Sequence, residues 1–146
     1  MSAVPFHYVD LRAFCYATED EKRVEAALRT FLPEDIDIER EETEGHHGDR
    51  ILVLSVRLER ADEVRHVLSA LARLDDFQRL IDELDQRVDD NCAFFIQLDK
   101  QAAYKGDVEL GTGLMLRGKV EAYPAKKEKA VETAEEALQE LAEESD

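Results

Sequence analysis

Residues 36–58 read IDIEREETEGHHGDRILVLSVRL, and the fold turns on how they are parsed. Leu52, Leu54, Val56 and Leu58 alternate with residues of mixed character, a period of two that places them on one face of a strand running from Arg50 to Leu58. Ile36 to Thr43 forms a weaker, more charged run, and Gly45-His46-His47-Gly48 is a turn between the two. Two short strands joined by a glycine-flanked turn predict an antiparallel hairpin.

The same reading extends outward. Phe6 to Tyr16 predicts a strand, with Val9, Leu11, Ala13 and Cys15 on one side and Tyr8, Asp10, Arg12, Phe14 and Tyr16 on the other. Thr18, with Glu21 three residues on, predicts a capped helix whose stripe is Val24, Ala27, Leu28 and Phe31. After the hairpin, Asp62 opens a helix with Val64, Val67, Leu68 and Leu71 inward. Asp75 caps another, with Phe77, Leu80, Ile81, Leu84 and Val88 as its stripe. Cys92 to Asp99 predicts a fourth strand, and Lys100 to Gly113 a looser stretch broken by Gly106, Gly111 and Gly113. Leu114 to Tyr123 predicts a fifth strand. Lys126 to Glu143 predicts a last helix with Val131, Ala134, Leu138 and Leu141 inward, its far end fraying. The order β-α-β-β-α-α-β-β-α predicts an α+β fold, a two-layer sandwich with about five mostly antiparallel strands and helices on one face.

The 146 residues fit one domain, 1–146, with an acidic helix and tail from about residue 126. That tail carries three Lys against seven Glu and one Asp. Acids total 35 and bases 19, a net charge of −16, and the acids are spread through the regular patterns rather than gathered in a tail. This distribution predicts a halophilic cytoplasmic protein: at molar salt the Debye length is roughly 3 Å and self-repulsion is largely screened. Cys15 and Cys92 lie in apolar runs without metal-ligand spacing, and are expected as buried free thiols. No apolar run reaches the ~20 residues that cross a bilayer, so no membrane role is expected.

Cations are scarce enough that their placement carries information. The strand alternation sets Arg12, Arg57, Arg117 and Lys119 on the face opposite the helices, with Tyr8, Phe14 and Phe95 among them. Guanidinium groups that meet phosphates, beside rings that stack on unpaired bases, are a known way for sheets to hold RNA. The competing reading is that Asp10, Glu59, Asp99 and Glu121 neutralise these cations in cross-strand pairs. Lys100, Gln101, Tyr104 and Lys105, at the exit of the fourth strand, form a second candidate for gripping phosphate and stacking a base; an ordinary polar loop is the alternative. Adjacent His46 and His47 on an extended chain point to opposite sides and are expected to hold no metal together. No phosphate-binding loop, dinucleotide fingerprint, nucleophile elbow or zinc-protease motif is present, so no cofactor or catalytic site is expected.

Several segments resemble an archaeal family of RNA-binding proteins regarded as predicted exosome-associated subunits. They are His7-Tyr8-Val9-Asp10-Leu11-Arg12, Ala17-Thr18-Glu19-Asp20, Gly45-His46-His47-Gly48 and, most specifically, Leu98-Asp99-Lys100-Gln101-Ala102-Ala103-Tyr104. The resemblance runs collinearly over about residues 6 to 130. It implies a fold similar to that of the large-subunit ribosomal protein that binds 5S ribosomal RNA, with RNA and exosome or other RNA-processing proteins as partners. It brings no catalytic residues. The expectation is a non-enzymatic RNA-binding protein of a salt-loving archaeon, using Arg12, Arg57, Lys100, Gln101, Tyr104, Lys105, Arg117 and Lys119, with His46 and His47 at the rim. Two alternatives stand beside it. One is a protein–protein adaptor whose open face docks a partner subunit or a second copy in a homodimer; the other is a small histidine-dependent hydrolase.

Overall fold

The computed structural model describes residues 4–144. Five strands form one antiparallel sheet in the order β2-β3-β1-β5-β4: β1 (Phe6–Tyr16), β2 (Glu39–Glu44), β3 (Arg50–Leu58), β4 (Ala93–Asp99) and β5 (Gly113–Val120). The helices are α1 (Glu21–Arg29), α2 (Ala61–Leu71), α3 (Phe77–Asp82), α4 (Leu84–Arg87), α5 (Lys100–Tyr104) and α6 (Lys127–Glu144). The architecture is the expected two-layer α+β sandwich with an open sheet.

The alternation decides which layer each side chain enters. Val9, Leu11, Ala13, Cys15, Leu52, Leu54, Val56 and Leu58 are buried against the helices, whose stripes contribute Leu28, Phe31, Leu68, Leu71, Leu80, Leu84 and Leu138. Burial of a leucine-sized side chain stabilises by about 1.5–3 kcal/mol, so this shared cluster is the main favourable contribution. Helix α6 packs on α2, α3 and α4 as well as β5. It thickens the helical layer and leaves the other sheet face uncovered. Edge strand β2 is exposed at every position and carries five charged residues in six, which blunts strand addition there.

Local readings change at several points; Asp76 rather than Asp75 precedes α3, with no side-chain cap bond. Asp20 rather than Thr18 caps α1, accepting from the Lys22 N–H at 2.9 Å, while the half-buried Glu19 turns to Lys100. The third helix does not run to Val88. It breaks at Glu83, and Val88 turns extended to bridge Phe94 across the end of β4. Asp89 Oδ1 accepts from the Asn91 and Ala93 N–H groups at 2.9 and 3.0 Å and holds the turn into β4. The stretch after β4 is not loose: Asp99 accepts from the Ala102 N–H at 2.9 Å and caps α5, and Gly113, with φ of 106°, lets the chain pass against Lys100. The last helix runs to Glu144, and the rest of the far end expected to fray lies outside the described residues.

Candidate nucleic-acid interface

Arg12, Arg57, Arg117 and Lys119 do project from one face, opposite the helices, because β1, β3 and β5 are in register across it. Asp10 lies opposite both Arg57 and Arg117, Arg12 lies between Ser55 and Met115, and Tyr8 lies opposite Lys119. Their circumstances differ. Arg57 holds Asp10 with two bonds, Nε to Oδ1 at 2.7 Å and NH2 to Oδ2 at 3.0 Å, and its guanidinium lies 4.0 Å from the Tyr8 ring centroid. The Asp10 hydrogen bond, with its charge, holds the Arg57 pKa above the ordinary arginine value. Lys119 donates to the Asn91 carbonyl. The neutralising reading therefore holds for Arg57.

It does not hold for the other three, since Lys119 meets a carbonyl and no carboxylate among the described residues. Arg12 is exposed and has no ion pair among the described residues. Arg117 lies over the Phe95 ring at 5.6 Å, and its buried Nε has no hydrogen-bond partner. Arg12 and Arg117 are diagonal neighbours on adjacent strands, since Asp10 opposes Arg117 and Arg12 opposes Met115; that geometry sets them about 7–8 Å apart at the backbone. Glu121, expected to neutralise this face, lies 3.6 Å from His7, and Asp99 is engaged in capping α5.

The second candidate group is a separate corner. Lys100 is only 8% exposed. Its ammonium donates to the Phe14 carbonyl at 2.8 Å and the Glu19 Oε1 at 2.7 Å, and lies 5.2 Å from the Tyr16 ring centroid. Burial pushes the Glu19 carboxyl up, but the Lys100 ammonium and the Tyr16 N–H outweigh it and hold its pKa below the ordinary value. Lys100 is thus a tie between the end of β1 and α5, not a surface cation. Ala102 and Ala103 are buried, and Thr30 Oγ1 donates to the Ala103 carbonyl at 2.6 Å, fastening α5 to α1. Gln101 and Tyr104 line a cleft of about 330 Å³ with Thr18, Glu19 and Arg23, and Arg23 lies 5.3 Å from the Tyr104 ring. Lys105 is exposed beside it. None of the open-face cations lines this cleft.

His46 and His47 are exposed at the hairpin tip, their rings 5.1 Å apart and 75° to one another. Among the described residues no group of three or more His, Cys, Asp or Glu is placed to hold a metal, and no helix is long and apolar enough to cross a membrane. Cys15 and Cys92 are buried free thiols, and burial, then the Glu19 charge, raises the Cys15 pKa.

Sequence reasoning missed Arg87, whose Nε is the other buried side-chain nitrogen without a partner among the described residues. Its spacing from Glu83 reads as an ordinary helix-surface pair, and the structure puts its NH2 3.8 Å from that carboxylate.

An antiparallel sheet with helices on one side and a ring-and-guanidinium face on the other defines an open-faced α+β sandwich. The chain belongs to the RNA-binding family whose model matches residues 8–121. RNA-binding protein PAB1135 of Pyrococcus abyssi is 38% identical over 144 residues, spanning 91% of this chain and 94% of that protein. Uncharacterized protein MJ0213 of Methanocaldococcus jannaschii is 34% identical over 115 residues, spanning 72% and 76%. Among solved structures, Mth689, a DUF54 protein from Methanothermobacter thermautotrophicus, superposes with a TM-score of 0.79 at 40% identity, covering 91% of this chain and 98% of that one.

Proposed function

We propose that this protein binds RNA, without catalysis, through the open face of its sheet. The observation that carries the reading is the pair of unneutralised guanidiniums, Arg12 and Arg117, beside Phe95 on a molecule of net charge −16. In so acidic a chain a cation left without a carboxylate is available for an external anion. Family membership and the name of the Pyrococcus relative support a phosphate of RNA as that anion. At multimolar salt counterion release contributes little. Affinity then rests on hydrogen bonds from the two arginines and on stacking against Phe95 and the half-exposed Tyr8 and Phe14. Arg57 and Lys119 shape the face, since each already holds a partner within the chain, and Lys100 positions α5 from within.

The wider context is an accessory factor in archaeal RNA processing, the exosome being the assembly implied by the resemblance. A second reading is favoured by Met115, 36% exposed, diagonal to half-buried Phe14, which opposes half-buried Val53: an apolar strip where a partner protein or a second copy docks. Fluorescence anisotropy with labelled cellular RNA fragments at several KCl concentrations separates the two. RNA binding with a shallow salt slope, weakened by about 1.5–3 kcal/mol in Arg12→Ala or Arg117→Ala, is the expected outcome. No RNA binding at any salt, with a protein captured on the same face instead, overturns it.

A further inference from the structure

The free edge of β4 is closed at both ends. Val88 bridges Phe94 at one end, and Leu98 bridges Leu110 at the other, where the Gly111 N–H also reaches the Gln97 carbonyl at 3.3 Å. Between these bridges lies a groove of about 620 Å³ lined by Arg87, Asp89, Phe95, Gln97 and Met115 among others. Its size is that of sites for small ligands. The short window left at Ile96 gives an added protein strand almost nothing to pair with, which argues against strand addition and for a compact occupant.

Two buried side-chain nitrogens among the described residues lack a hydrogen-bond partner, Arg87 Nε and Arg117 Nε, one in the wall of this groove and the other at its border. Arg87 lines it, and Arg117 lies over Phe95, which also lines it. A buried donor left unmade is unfavourable, so two beside one concavity mark a place where acceptor oxygens are wanted. The acids nearby do not supply them. Asp89 accepts from Asn91 and Ala93, and Glu83 holds Arg79 at 2.9 Å while standing 3.8 Å from Arg87 NH2. Phe95 is half-buried and Met115 stands beside it on the open face, giving a flat apolar wall next to the two donors.

We propose that this groove holds one unstacked nucleotide of a single-stranded RNA, its phosphate oxygens meeting Arg87 and Arg117 and its base lying against Phe95 and Met115. The proposal rests on the RNA reading above and adds the strandedness and a subsite for one nucleotide. A base inside a duplex is stacked on both faces and cannot enter such a groove, whereas a single strand can splay one out.

The test is anisotropy in molar KCl with a labelled single-stranded oligoribonucleotide and the same sequence annealed into a duplex. Wild type is compared with Arg87→Lys, Phe95→Leu and Arg12→Ala, each checked for an unchanged melting transition. The single strand should bind at least about 10-fold tighter than the duplex, and Phe95→Leu should lose about 5- to 100-fold of that affinity. Arg87→Lys keeps the charge but loses the Nε donor and planar fork, and should fall by about 10-fold. If Phe95→Leu fails to fold, Arg87→Lys decides alone. Equal binding of both RNA forms, or an Arg87→Lys variant indistinguishable from wild type while Arg12→Ala weakens both forms, overturns the groove and leaves the open-face reading standing. Absence of binding to either RNA form by wild type defeats both.

Discussion

Lys100 and Arg87 lie largely beneath the surface, at 10% and 24% side-chain exposure, and their nitrogens meet opposite circumstances. Lys100 reaches two oxygens and the face of Tyr16, tying β1 to α5 from inside the protein. Arg87 has a weakly placed carboxylate at one nitrogen and nothing at Nε. The same contrast divides the open face, where Arg57 is satisfied by Asp10 and Arg117 is not. A cation whose donors are filled by its own chain holds the fold; one whose donors are empty is available to a ligand. On a chain where acids outnumber bases 35 to 19, the proposed interface rests on that distinction rather than on the position of a positive charge.

Salt gives the broadest way to challenge the comparison. Net charge of −16 should make the whole fold depend on screening, so the melting transition followed by circular dichroism should fall cooperatively as KCl is lowered from molar to millimolar. A transition that does not move contradicts the halophilic reading.

Within the fold, the Lys100 tie should dominate. Lys100→Met leaves the Glu19 carboxylate and the Phe14 carbonyl without their donor and should destabilise by about 3 kcal/mol. Adding Glu19→Gln should return part of that loss, which a double-mutant cycle by urea denaturation at fixed KCl measures. Arg57→Ala removes a pair with one half-exposed partner and should change stability by no more than about 1 kcal/mol. Its effect on RNA affinity should be smaller than that of Arg117→Ala; equal effects would erase the distinction between filled and empty donors.

The smallest effect is a pH dependence. Because the Glu19 pKa is lower folded than unfolded, its stabilisation is present above the ordinary value of 4.5 and is lost as the pH falls through the lower folded value. Glu19→Gln should therefore flatten the acid limb of the stability curve below about pH 4.5 and leave its slope near neutrality unchanged.

Much of the fold is legible in the chain. Alternation fixes β1 and β3 to the bounds read from the sequence, since one buried face leaves no freedom to slip. Helix α5 is not legible, because its five residues are too few to show a period and its cap, Asp99, reads as the end of a strand. The common face of Arg12, Arg57, Arg117 and Lys119 follows from the same alternation. Which of them is free does not, because that depends on cross-strand register and on a carbonyl 28 residues away from Lys119. Lys100 looks like a surface cation in sequence because its partners lie 81 and 86 residues away along the chain. The Asp99-to-Tyr104 segment, the most specific part of the resemblance, turns out to be structural at Asp99, Lys100, Ala102 and Ala103, leaving Gln101 and Tyr104 facing the cleft.

Amide chemical-shift mapping of isotope-labelled protein, titrated with a single-stranded oligoribonucleotide in molar KCl, tests the central claim most directly. The shifts that move should cluster at Arg12 on β1, at Phe95 and Gln97 on β4, and at Met115 and Arg117 on β5, with α2 and α6 unmoved. Shifts gathered on the helical layer, or around the cleft of Gln101 and Tyr104 with the open sheet face silent, would contradict it.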